Sequence, residues 1–158
     1  MRRRAHLGLL KIFKVLPRRV RLAIVHALAP SFSVGAICIV ERADGAILLV
    51  RHSYRDRWGF PGGLLSRGES AVDGARREAL EECGIDVEVV GEPAVVVDPG
   101  PRRVDIIYRC RTDGLVTARP MTPEVVDCRW FPAEELPELQ HEAAGALVTL
   151  ARITRPGS

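Results

Sequence analysis

Apolar residues recur at helical spacing from the start of the chain: Leu9, Leu10, Ile12, Phe13 and Leu16 are interleaved with Lys11 and Lys14. Pro17 ends or kinks that segment and suits the first turn of a second. There Arg18, Arg19 and Arg21 precede Leu22, Ile24, Val25 and Leu28. The pattern then changes. Ser33–Glu41 (SVGAICIVE) is a continuous apolar, β-branched run, as expected of a buried strand. Ala43-Asp44-Gly45 is a hairpin turn signal and Ala46–Arg51 the returning strand. His52–Arg57 reads as a polar, cation-rich loop. Short strands follow at Asp86–Val90 and Ala94–Val97, then a turn-rich loop at 98–103 and a strand at Val104–Arg111. Thr112–Pro123, with Gly114, Pro120 and Pro123, reads as a polar connection that is mobile or variable. Glu124–Phe131 is the last strand. Pro132 opens a helical turn that Pro137 breaks, and Glu138–Ile153 is a final helix with Leu139, Ala143, Ala146, Leu147 and Leu150 on one face.

One stretch departs from simple patterning. Residues 58–85 (WGFPGGLLSRGESAVDGARREALEECGI) run from a Gly turn through a polar loop into a helix. At about 100° per residue, Glu78, Glu81 and Glu82 share one arc of that helix, while Val72, Ala75, Ala79 and Cys83 share another. One face packs on a core and its neighbour presents acids. Like charges at this spacing destabilise a helix by a few tenths of a kcal/mol per pair. Hard oxygen ligands in such a cluster suit Mg²⁺ or Mn²⁺. Arg77 stands beside Glu78 and four residues before Glu81, where its planar fork can direct a carboxylate. Gly84 is a helix-stop signal.

These residues carry a family resemblance. Gly63, Glu69, Arg77-Glu78-Ala79, Glu81-Glu82 and Gly84-Ile85, at their spacings, resemble the complete Nudix box, and Trp58–Gly63 resembles the lead-in common to that family. Ala79 is a mild departure, small where the pattern asks for a bulky aliphatic residue. A solvated acidic helix after a Gly turn would explain the charges but not Gly63, Glu69 and Arg77 at these separations. The resemblance covers residues 33 to about 153. It implies an α/β/α sandwich with a mixed sheet, and metal-dependent hydrolysis of a diphosphate linkage in a nucleoside diphosphate derivative. Nucleotide sugars, ADP-ribose-like molecules and nucleoside triphosphates are the substrate candidates. It also implies Glu78 and Glu82 as metal ligands, with Glu81 third and the Gly63 carbonyl a further donor. Arg77 would orient a carboxylate and Glu69 would brace the loop. Glu124 is carried over as an extra ligand or base, with Asp127 its competitor; a box glutamate such as Glu78 or Glu81 is the other candidate base. Arg51, Arg57 and Arg103 are candidates to grip phosphates, although most such arginines are simply solvated, and Trp58 is a candidate to stack a base, although a Trp here more often packs under the loop. His52 is a weaker candidate for a base or phosphate donor. A non-catalytic, nucleotide-binding regulatory domain is the alternative. Its mark would be loss of box carboxylates, and none is lost.

Length and charge refine this picture. A chain of 158 residues suits one domain. Residues 1–40 hold eight Lys/Arg and no acid, whereas the whole chain carries 23 Lys/Arg and 20 Asp/Glu, so the remainder is net acidic. The division expected is a basic amphipathic helical extension over 1–32 and the catalytic domain over 33–155. Four readings of the extension stay open: packing on the domain or on a second copy of the chain, contact of residues 1–29 with an anionic membrane surface, a targeting peptide, or a membrane span. Lys11, Lys14 and the Arg cluster interrupt a signal-like run, and Pro30, Ser31, Ser33 and Gly35 interrupt a span. The expected location is cytoplasmic, peripheral at a membrane in the second reading. Nucleic acid is a poor partner, because only Phe13 and Phe32 supply aromatic rings to the basic segment. Cys38, Cys83, Cys110 and Cys128 lie far apart without a CxxC pair, as expected of reduced core residues.

Overall fold

The computed structural model describes residues 13–29 and 31–154. The chain divides into two compact units between Phe32 and Ser33. In the first, residues 13–15 are helical and α1 spans Arg18–Leu28. Pro17 stands at the N-cap of α1, and its carbonyl accepts from the Val20 and Arg21 N–H groups at 3.0 and 3.1 Å. The helix expected before residue 13 lies outside the described residues. Among the described residues, no helix is long and apolar enough to cross a membrane.

The second unit is organised by a six-stranded mixed sheet. Its strands are β1 (Ser33–Glu41), β2 (Ile47–His52), β3 (Gly62–Leu64), β4 (Glu88–Asp98), β5 (Arg103–Arg111) and β6 (Val125–Phe131). They lie in the order β4-β5-β1-β2-β6, with β3 also paired to β1. β1 and β5 run parallel, from Ser33↔Arg103 to Glu41↔Arg111, and the other pairs are antiparallel. β1 pairs with β2 at the hairpin end, Glu41↔Ile47, and then β3 lies beside Gly35–Ile37. The two strands therefore diverge, and β3 brings the glycine turn against β1.

Alternation along the strands supplies two layers of core, because successive side chains point to opposite faces. Cys38, Val40, Leu48 and Val50 face one side and bury Ala75, Ala79 and Cys83 of α2 (Ala71–Cys83). Ile39, Ile47, Leu49 and Ile107 face the other and bury Ala143, Ala146 and Leu150 of α3 (His141–Thr154). This is the expected sheet between helices. Fully burying each Leu, Ile or Val side chain stabilises the fold by about 1.5–3 kcal/mol relative to leaving it exposed. Ala79 is fully buried, so its small side chain suits close approach of α2 to the sheet. All four cysteines are buried and free.

Local chemistry sets the ends of α2. The Ser70 hydroxyl accepts from the Asp73 N–H at 3.1 Å and donates to the Asp73 carboxylate at 2.6 Å. Gly84 adopts a left-handed φ of 68° and closes the helix through its N–H to the Leu80 carbonyl.

Four expectations need correction. β3 is a strand that a short glycine-rich segment gave no periodicity to reveal. The two short strands expected at Asp86–Val90 and Ala94–Val97 are one strand, β4, which starts at Glu88 and whose register shifts between Val90 and Ala94 around Gly91 (φ 73°) and Pro93. The connection over 112–123 is anchored, because Arg119 N–H and Met121 N–H bond the Cys83 and Glu82 carbonyls at 3.1 Å each. Finally, Pro132–Glu135 is a turn, and the last helix begins at His141, because residues 138–140 pair with Trp58 instead.

Candidate active site

Two residues of α2, four apart, turn toward the glycine loop. Glu78 approaches the main chain of Gly63 so closely that a Cβ there would overlap Glu78 Oε1. It would also stand 2.7 Å from Cδ and 2.9 Å from Oε2. Any side chain at this position would therefore push the Glu78 carboxylate aside. Glu82 lies one turn further on, with its side chain 11% exposed. Its Oε2 accepts from the Gly62 N–H at 3.0 Å and its Oε1 stands 2.8 Å from His52 Nε2.

Arg77 fixes the loop to the helix. Its Nε and Nη2 donate to the two oxygens of Glu69 at 2.7 and 3.0 Å, a fork on a carboxylate. Nη1 donates to Glu78 Oε1 at 2.7 Å and Glu81 Oε2 at 3.0 Å, and Nη2 also reaches the Leu64 carbonyl at 3.2 Å. The fork, helped by the Ser66 N–H, holds the Glu69 carboxyl down at about 2. Glu78 moves the other way: burial raises its pKa, and the Arg77 hydrogen bond only partly offsets this. Glu69 thus braces the loop. Glu81 is turned outward, 55% exposed, and its pairing with Arg77 at that exposure contributes about 0–1 kcal/mol.

Glu78 and Glu82 line an open cleft of about 820 Å³. Gly63, Glu124, Arg103 and His52 line the same cleft, so six of the residues singled out in the sequence converge. Arg103 Nε donates to both oxygens of the buried Asp105 at 2.7 and 2.9 Å. Ile37, Val96, Ile107, Ala143 and Ala146 supply apolar wall. Other expected residues fall elsewhere. Trp58 packs edge-on against Phe131 in the α3-side core, with Arg51 and Arg129 over its ring. Arg57 pairs with Glu138 at 2.7 Å, and Asp127 with Arg129 at 2.7 Å. None of these four, nor Glu81 or Arg77, lines the cleft. Among the described residues, no three acidic, His or Cys side chains converge as a closed metal-ligand set. The box carboxylates accept from Arg77, His52 and Gly62 instead. His52 is the participant that sequence reasoning underrated.

The NUDIX domain model matches residues 31–151. A MutT-like protein of Streptomyces ambofaciens is 32% identical over 113 residues, which is 72% of each chain. Four other curated relatives match over only 17% to 46% of their own length. A NUDIX hydrolase structure from Nitrosomonas europaea superposes with a TM-score of 0.67 at 28% identity, covering 75% of this chain and 69% of the other. An ADP-ribose pyrophosphatase from Streptococcus suis superposes with a TM-score of 0.62 at 26% identity, covering 81% and 96%. With this fold and this site, the chain belongs to the Nudix family of pyrophosphohydrolases.

Proposed function

We propose that this chain hydrolyses the diphosphate linkage of a nucleoside diphosphate derivative with Mg²⁺ or Mn²⁺ held by Glu78 and Glu82. The observation that carries this reading is the pair of carboxylates, one helical turn apart, on the wall of a single cleft, with Gly63 lacking the Cβ that would displace Glu78. An all-oxygen donor set of two carboxylates beside a main-chain carbonyl suits hard divalent cations. When bound, the cation offsets charge that the carboxylates would otherwise repel, polarises phosphoryl oxygens and acidifies a bound water.

The protein's own groups would divide the remaining tasks. Arg77 keeps Glu78 aimed at the cleft and ties it to the loop through Glu69. Arg103, held by Asp105, presents positive charge to the phosphates. Glu124, which lines the same cleft, is the candidate base or additional ligand. The apolar wall of Val96, Ile107, Ala143 and Ala146 suits the nucleoside end. Arg51, Arg57 and Trp58 have no place in this proposal, because they do not line the cleft.

Turnover of ADP-ribose, nucleotide sugars and nucleoside triphosphates, measured with Mg²⁺, Mn²⁺ or chelator, tests the reading. Wild-type protein hydrolyses at least one class only with metal, and Glu82→Gln loses that activity. Unchanged turnover in Glu82→Gln overturns the metal-site assignment.

A further inference from the structure

Glu82 is held at both oxygens from outside its own helix. A carboxylate only accepts hydrogen bonds, so the 2.8 Å contact requires that His52 Nε2 carry the hydrogen. The Gly62 N–H takes the other oxygen at 3.0 Å. Each oxygen keeps a further lone pair, and the carboxylate as a whole lines the cleft beside Glu78.

His52 is itself confined. Its side chain is 11% exposed, and its ring lies 5.3 Å from that of Tyr54 at an interplanar angle of 33°. It ends β2, where the register against β6 shifts between Arg51 and His52. The next residue, Ser53, donates its N–H to the Glu124 carbonyl at 2.8 Å. Two consecutive residues thus hold the Glu82 side chain and the Glu124 main chain, both at the cleft.

We infer that His52 is a positioning residue. It aims the Glu82 carboxylate at the metal position, and through Ser53 the same segment sets where Glu124 stands. An apolar side chain of similar size could fill the same space, so a purely packing role would not need the ring nitrogen. The inference rests on the assignment of Glu82 as a ligand. Groups that orient ligands in this way typically change metal affinity or activity by about tenfold to a hundredfold when removed.

The test uses the full chain and Mn²⁺ alone, with free Mn²⁺ counted by its electron paramagnetic resonance signal. Wild type, Glu82→Gln, His52→Leu and His52→Gln are compared. Gln can place an amide N–H where Nε2 stands, and Leu cannot. His52→Leu should weaken Mn²⁺ binding about tenfold or more, and His52→Gln should stay near wild type. In turnover, kcat should follow the same order with KM little changed. If His52→Leu binds Mn²⁺ like wild type, or His52→Gln falls as far as His52→Leu, the inference is overturned while a loss in Glu82→Gln preserves the ligand assignment. If Glu82→Gln also binds like wild type, the ligand assignment falls and the inference falls with it.

Discussion

Gly63→Ala places one methyl group where the Glu78 carboxylate already stands. The added carbon would lie 2.7 Å from Cδ and 2.9 Å from Oε2, against about 3.5–4.0 Å for a relaxed contact. The carboxylate must withdraw by roughly 1 Å. The main chain is poorly placed to yield instead, because Gly63 pairs with Ala36 in the sheet. Gly63 is not among the glycines at positive φ, so alanine meets crowding rather than backbone strain. The atoms in the way are the end of one flexible side chain, so the cost lies at the low end of the about 1–3 kcal/mol of overpacking, and the stiffer unfolded chain offsets about 0.4–1 kcal/mol of it. A net loss of about 0–1 kcal/mol corresponds to a fall in Tm of about 0–4 °C at this chain length, which leaves the protein folded. Function should suffer more. A displacement of about 1 Å at a reacting centre can lower the rate about a hundredfold. Steady-state kcat with Mg²⁺, paired with thermal unfolding, is the assay. Wild-type kcat in Gly63→Ala would refute the reasoning, because Glu78 would then tolerate the displacement.

Three further outcomes follow from particular residues. Glu69 titrates at about 2 in the folded chain against an ordinary 4.5. Its contribution to stability is complete above about pH 4.5 and is lost as pH falls through about 2. Urea midpoints measured from pH 5 to 2 should fall less steeply for Glu69→Gln than for wild type, and parallel slopes would remove the Arg77 clamp as the cause. Gly145 lies inside α3 with nothing within 4 Å of an added Cβ, so Gly145→Ala should raise unfolding free energy by about 0.5–1 kcal/mol, and a loss measured by chemical denaturation would contradict this. Arg18, Arg19 and Arg21 lie in α1 within a segment free of acids. If that segment meets anionic lipid, changing all three to Glu should abolish co-sedimentation with phosphatidylserine vesicles and leave the pellet from neutral vesicles unchanged; equal anionic-vesicle binding by both proteins would remove a membrane role for these arginines.

The parts of the fold legible in the sequence are those with a local signature. β1, β2, β5 and β6 announced themselves as apolar or alternating runs, and α2 carried its stop signal in Gly84, while its start at Ser70 became plain only from the hydrogen bonds to Asp73. β3 did not, because its pairing comes from β1 and a glycine has no side chain to show a period. The 112–123 connection looked mobile because its anchors are main-chain bonds to α2, which no side-chain pattern reveals. Within the site, the helical wheel placed Glu78 and Glu82 correctly beside the apolar face but could not show that Glu81 turns outward to Arg77. His52 had a signal. Leu48 and Val50 point to the α2 face, and extending the alternation by two residues brings His52 to Glu82. Reading the strand as ending at Arg51 hid it. Trp58 and Arg51 were singled out by residue type alone, and residue type does not say which side of the sheet a ring will occupy.

The most direct test of the proposed chemistry is to locate manganese by anomalous scattering in crystals of the full chain soaked in Mn²⁺. A peak is expected in the cleft, touching carboxylate oxygens of both Glu78 and Glu82 beside the Gly63 carbonyl. Manganese bound only away from these two side chains, in a protein that still hydrolyses its substrate, would contradict that chemistry.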